Sequence, residues 1–138
     1  MHFFVVLFGV HFMKLSVLLL FISATVLAVT HFLALEFYLY WQFVWFDVPM
    51  HILGGAVVGL TFFALRDLGA PVPAVVLQMP VLVLLVFLVG IIWEVFELVA
   101  GLYPAENYVF DTSIDLCMDI IGGCLAGIVG KRLHSIDS

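Results

Sequence analysis

The stretch AVVLQMPVLVLLVFLVGIIWEVFELVA, Ala74 to Ala100, decides how this chain is read. It is almost continuously apolar and longer than the roughly 20 residues an α-helix needs to cross a bilayer. Near its far end it carries two acids, Glu94 and Glu97. A run of this kind reads as a transmembrane helix, and an acid inside such a helix is costly unless something meets its charge. Pro80 falls within the expected helix and is expected to kink it.

Working outward, Arg66-Asp67-Leu68-Gly69-Ala70-Pro71-Val72-Pro73 is a loop by its charges, glycine and prolines. Before it, Val48 to Leu65 reads as another span. Further upstream Tyr38, Tyr40, Trp41, Trp45 and Phe46 form an aromatic belt of the kind found at membrane surfaces. Lys14 opens a first span over residues 14–35, retained rather than cleaved as a signal peptide. Residues 1–12 read as an N-terminal extension, with translation starting at Met1 or Met13. Downstream, Gly101 to Phe110 is a second aromatic loop containing Tyr103, Pro104, Glu106 and Tyr108. A fourth span, about Thr112 to Gly130, ends on Lys131 and Arg132. The expected fold is all-α, an integral membrane four-helix bundle built as one membrane domain over residues 1–138, with spans at about 14–35, 48–65, 74–100 and 112–130.

Composition agrees. The chain has 138 residues, 66% hydrophobic and 10% charged, whereas soluble domains carry roughly 25% charged residues. The net charge of −6 excludes nucleic acid as a partner, since phosphate backbones are bound by basic patches. Cys117 and Cys124 lie about two turns apart on one helix, too far for a disulfide, and read as packing residues. The basic residues fix the expected orientation: with four spans, Lys14, Arg66, Lys131 and Arg132 all fall on one side. By the positive-inside rule that side is cytoplasmic and holds both termini. The expected location is a prokaryotic inner (plasma) membrane, in contact with membrane lipids.

The remaining charges gather at the other side. Asp47 and His51 open the second span, Glu94 and Glu97 close the third, and Asp111, Asp115 and Asp119 open the fourth. Their spacings of i, i+4, of i, i+3 and of i, i+4, i+8 put each set on one helical face. Gly55, Gly59, Gly90, Gly122, Gly123 and Gly127 share those faces, and small residues let helices approach closely in lipid. Glu94 and Asp119 lie deepest, about 10 Å from the helix ends at 1.5 Å per residue. Buried carboxylates must be paired, protonated or bound to a cation. No Lys or Arg belongs to this half, so the choice falls between held protons and a divalent metal. Oxygen donors suit Mg²⁺, Mn²⁺ or Ca²⁺, and the histidine admits Zn²⁺. Some of these residues also have plainer roles. Asp47 and Asp111 sit where helix caps sit, and Thr112 with Asp115 fits a capping box. His31 lies near the outer end of the first span as a packing residue, and Glu36 and Glu106 as solvated loop acids.

In their order these pieces resemble the VanZ-like membrane proteins and the related YjdF-type inner membrane proteins. The pieces are Asp47-Val48-Pro49-Met50-His51-Ile52-Leu53-Gly54-Gly55, then Trp93-Glu94-Val95-Phe96-Glu97, then Asp111-Thr112-Ser113-Ile114-Asp115 through Asp119 to Gly122-Gly123. The resemblance covers about residues 40–130. Glu97 stands where VanZ-like chains commonly have Gln, Asp119 where they have Asn, and no Arg precedes the last motif, which brings the chain closer to the YjdF type. VanZ-like proteins are associated with low-level glycopeptide tolerance. What the resemblance implies is the topology and the acidic site rather than a particular reaction.

Three functions fit these residues. The first is an enzyme in which Glu94, Glu97, Asp115 and Asp119 hold a divalent cation that binds a lipid or lipid-linked phosphate of the cell envelope, with His51 and Asp47 as the catalytic acid-base pair. The second is a non-enzymatic accessory or lipid-binding protein with a structural cation. The third is proton or cation translocation, which the apolar inner halves of spans two to four argue against. A chain this small is also a candidate for homo-oligomer formation.

Overall fold

The computed structural model describes residues 14–102 and 108–136. The expected extension 1–12 and the loop residues Tyr103, Pro104 and Glu106 lie outside them. Four helices are long and apolar enough to cross a membrane. They are α1 (Leu15–Glu36), α3 (Asp47–Asp67), α4 (Met79–Ala100) and α5 (Tyr108–Ile136). A short helix α2 (Leu39–Gln42) and a 3₁₀ turn (Val44–Phe46) connect α1 to α3. In a bilayer every backbone N–H and C=O must be satisfied within its own segment, so apolar runs of this length adopt helix. No strand is found among the described residues.

Two helices start several residues away from the sequence expectation. The third span was expected to start at Ala74. Instead Ala74–Leu77 makes a 3₁₀ turn and α4 begins at Met79. Pro80 therefore occupies the first turn of α4 rather than kinking its interior. Its missing N–H costs nothing there, because first-turn donors have no intrahelical partner. The fourth span was expected to start at Thr112, capped by Asp111 or by a Thr112–Asp115 box. The helix instead begins at Tyr108, so Asp111 and Thr112 lie inside it and neither caps it. Asp47 is likewise the first helical residue of α3, which has no side-chain cap. α4 closes on Gly101 at φ +67°, a left-handed conformation that glycine adopts without steric cost.

α3 and α5 make the most extensive contact, with α1 packed on α3 and α4 packed on α5. Glycine sets the α3–α5 distance. A Cβ on Gly55 would collide with the backbone of Asp119, and one on Gly122 with the carbonyl of Ile52. Any side chain at either position would force the helices apart. Because His51 lies one turn before Gly55 on α3, this close approach brings its ring to Asp119. Gly90 does the same for α4, since a Cβ there would meet the Asp119 carboxylate.

α1 is the peripheral helix. Only Ser16 and Ala34 are buried on it, while Phe21, Val26, Val29 and Phe32 are exposed. An apolar face of this size has no place in water but matches hydrocarbon. Its start is tied to the end of α3, where Lys14 Nζ lies 3.5 Å from Asp67 Oδ1 and the Ser16 hydroxyl donates to the same carboxylate. Phe63, Leu77 and Leu82 pack as a buried cluster. Tyr38, Trp41 and Trp45 are exposed in the α1–α3 connection. Cys117 and Cys124 are both free.

Candidate metal centre

α3, α4 and α5 deliver their polar residues to one point. His51 is 5% exposed, Glu94 2%, Asp115 1% and Asp119 5%, which in an apolar bundle means that water does not solvate them. The imidazole of His51 is the hub. Its Nδ1 is 3.3 Å from Asp119 Oδ1. Its Nε2 is 3.7 Å from Asp47 Oδ1, 3.9 Å from Glu94 Oε1 and 3.9 Å from Asp115 Oδ1. Glu97 joins from the next turn of α4: one donor atom each from His51, Glu94 and Glu97 lie within 4.8 Å of one another, as do donors from Asp47, His51 and Asp115. All six residues singled out in the sequence therefore share one cluster.

The geometry also divides them. Asp119 lies on the Nδ1 side of the ring, whereas the two donor trios among the described residues both use His51 and leave Asp119 out. Asp47 is more open than Glu94, Asp115 and Asp119, its side chain 29% exposed. Thr112, expected as a cap, instead donates its hydroxyl to Glu94 Oε2 at 2.8 Å. Glu94 Oε1 and Asp119 Oδ2 are buried with no hydrogen-bond partner. An orphaned buried carboxylate oxygen is costly. Five acids surround one imidazole, and the basic residues Lys14, Arg66, Lys131 and Arg132 lie at the opposite helix ends. Such a site needs positive charge from outside the chain or protons on its carboxyls. Its mixed nitrogen and oxygen donors fit a divalent cation.

Two residues that the sequence treated as background line the same cavity. His31 Nδ1 and the Tyr40 hydroxyl are hydrogen-bonded at 2.8 Å, and both face the space beside His51. Burial raises the Tyr40 phenol above its ordinary value, and the Asp47 and Glu97 charges push it the same way, so the hydroxyl stays neutral. No spacing rule could have joined them to the site. They reach it through the turn at Tyr38, whose φ of 55° is left-handed. Thr112 was the more findable residue, since it lies three positions before Asp115 on the same face.

A family model described as a predicted membrane protein (DUF2238) matches residues 1–136. Searches of curated proteins and of solved structures return no match to the chain.

Proposed function

The chain belongs to the DUF2238 family of predicted membrane proteins, and from that premise we propose that it binds a divalent cation at the His51 cluster and acts there on a lipid or lipid-linked phosphate of the cell envelope. One observation carries this reading: Glu94 Oε1, buried and without a hydrogen bond, lies in a cluster of five acids in which His51 is the one basic side chain among the described residues. Glu94, Glu97 and Asp115 act as ligands together with His51 Nε2. Asp119, on Nδ1, fixes the ring, the arrangement by which metal-ligating histidines are commonly oriented. Asp47, at the open side, is the residue placed to exchange a proton with the reacting group. The sequence alone favoured Asp119 as a ligand and His51 with Asp47 as the acid-base pair; the distances favour His51 as a ligand oriented by Asp119, with Asp47 keeping the proton-exchanging role. When bound, the cation supplies a Lewis acid for a phosphoryl oxygen and a template for its position. Mg²⁺, Mn²⁺, Ca²⁺ and Zn²⁺ all suit the donors. The VanZ-like and YjdF-type resemblance, an outward-facing site and a prokaryotic inner membrane belong to the same proposal.

The experiment is phosphate release from lipid phosphates by protein reconstituted in vesicles with added divalent ions. Turnover that disappears in Glu94→Gln and in Asp47→Asn supports the enzyme. An occupied cation site with no turnover of any lipid phosphate overturns it and leaves a structural cation in an accessory protein. That second reading draws on the near-complete burial of Glu94 and Asp115, because structural metal sites are closed. Translocation is disfavoured by the Phe63, Leu77 and Leu82 cluster packed at the other end of the bundle.

A further inference from the structure

The acidic site opens into something larger. A cavity of about 360 Å³ runs between the helices, and its wall changes character along its length. At one end it is lined by Asp47, His51, Glu97 and Asp119, and at the other by Ala24, Leu27, Val57, Val58 and Val86. From Asp47 to Val58 along α3 the wall extends about 16 Å at the helical rise per residue. A site for a cation alone needs no apolar extension. A site for a wholly apolar molecule needs no carboxylates.

The sides of this cavity point to how it fills. Ala24 and Ala28, one turn apart on α1, present small side chains to it, facing Val86 and Val89 of α4. α1 packs on α3, and its contact with α4 is marginal. The two helices meet at the site end through the edge-to-face pair His31 and Trp93, with ring centroids 6.2 Å apart. Beyond that pair the cavity is flanked by α1 and α4, which pack little on each other, and the medium around a spanning bundle is lipid.

We propose that the cavity seats a single hydrocarbon chain of a membrane-resident phosphate lipid, which enters sideways between α1 and α4 and places its phosphate at the His51 cluster. This rests on the cation reading above for the headgroup, while the chain pocket stands on the cavity itself. The volume lies near the lower end of the ~300–1,000 Å³ range of ligand pockets, which suits one chain and not the pair carried by a diacyl lipid. Apolar lining along the chain and a few convergent polar groups at one end is the usual division of labour in such pockets.

The test uses the full chain in phosphatidylcholine vesicles and a long-chain alkyl phosphate bearing a diazirine at its chain terminus. After photolysis, the labelled residues are mapped by mass spectrometry, with and without added Mn²⁺. Labelling at Leu27, Val57, Val58 and Val86 is expected. Ala24→Trp, which fills the apolar end without touching the acids, should reduce it about tenfold, as the chain loses its buried contacts. Labels scattered over the exposed residues Phe21, Ile22 and Ile92, unchanged by Ala24→Trp, overturn the proposal, and the unaltered protein alone is enough to show that pattern. The two readings fail separately. Bound Mn²⁺ without cavity labelling removes the chain pocket, whereas cavity labelling in a protein that binds no cation removes the metal centre and leaves the chain pocket standing.

Discussion

At the scale of single residues the site is organised by one imidazole with two different sides. Asp119 holds Nδ1, and Asp47, Glu94 and Asp115 face Nε2. The two sides make separable predictions. Asp119→Asn keeps a hydrogen-bonding group on the ring and should weaken cation affinity by about 10–100-fold, the usual cost of losing an outer-shell partner. Glu94→Gln removes a charged donor and should abolish stoichiometric binding. Titration of both variants with Mn²⁺, followed by electron paramagnetic resonance, distinguishes them; equal losses would contradict the division of roles. Tyr40 gives a test of sign. Its raised phenol stabilises the fold fully below its ordinary value of 10.0. The contribution falls as pH rises beyond that, where the unfolded chain ionises and the folded one does not. Melting of the wild type and Tyr40→Phe in detergent should therefore show a stability gap that narrows above pH 10. A gap that stays constant with further alkalinity argues against it.

At the scale of elements, glycines set the distances that the acids need. Gly122→Ala forces a Cβ onto the Ile52 carbonyl and should lower the melting temperature sharply and loosen the site. Gly69→Ala, in open space at φ +86°, should cost only the roughly 1–2 kcal/mol of a left-handed non-glycine residue. Comparable losses in the two variants would mean that α3 and α5 are not held by close backbone approach. This is also where sequence and structure can be compared in physical terms. The four helices were legible because hydrocarbon demands long apolar runs, and the shared faces of Asp47 and His51, Glu94 and Glu97, and Asp115 and Asp119 followed from helical spacing. Helix starts were less legible. From sequence Pro80 reads as a kink and Thr112 as a cap, because in an apolar segment nothing in composition marks where the first turn begins. Thr112 in fact serves Glu94 from another helix. The His31–Tyr40 contact and the cavity depend on how α1 leans on α3, and no local pattern encodes that.

At the scale of the whole molecule, the chain is polarised. Acids and histidine gather at one end of the bundle, and Lys14 and Asp67 tie α1 to α3 at the other. By the positive-inside rule we propose that both termini are cytoplasmic and that the acidic site faces the outer leaflet. A green fluorescent protein fused after Ser138 should fluoresce and an alkaline phosphatase in the same place should be inactive; the reverse pattern would invert the orientation. Polarity of this kind also concentrates the account in one claim, that the excess negative charge around His51 is met by a bound cation. The measurement that tests it most directly is elemental analysis of the protein purified in mild detergent with divalent ions present throughout, beside its Glu94→Gln variant. A near-stoichiometric divalent metal is expected in the wild type and none in the variant. Absence of metal from both monodisperse proteins would contradict it and leave the carboxyls to hold protons instead.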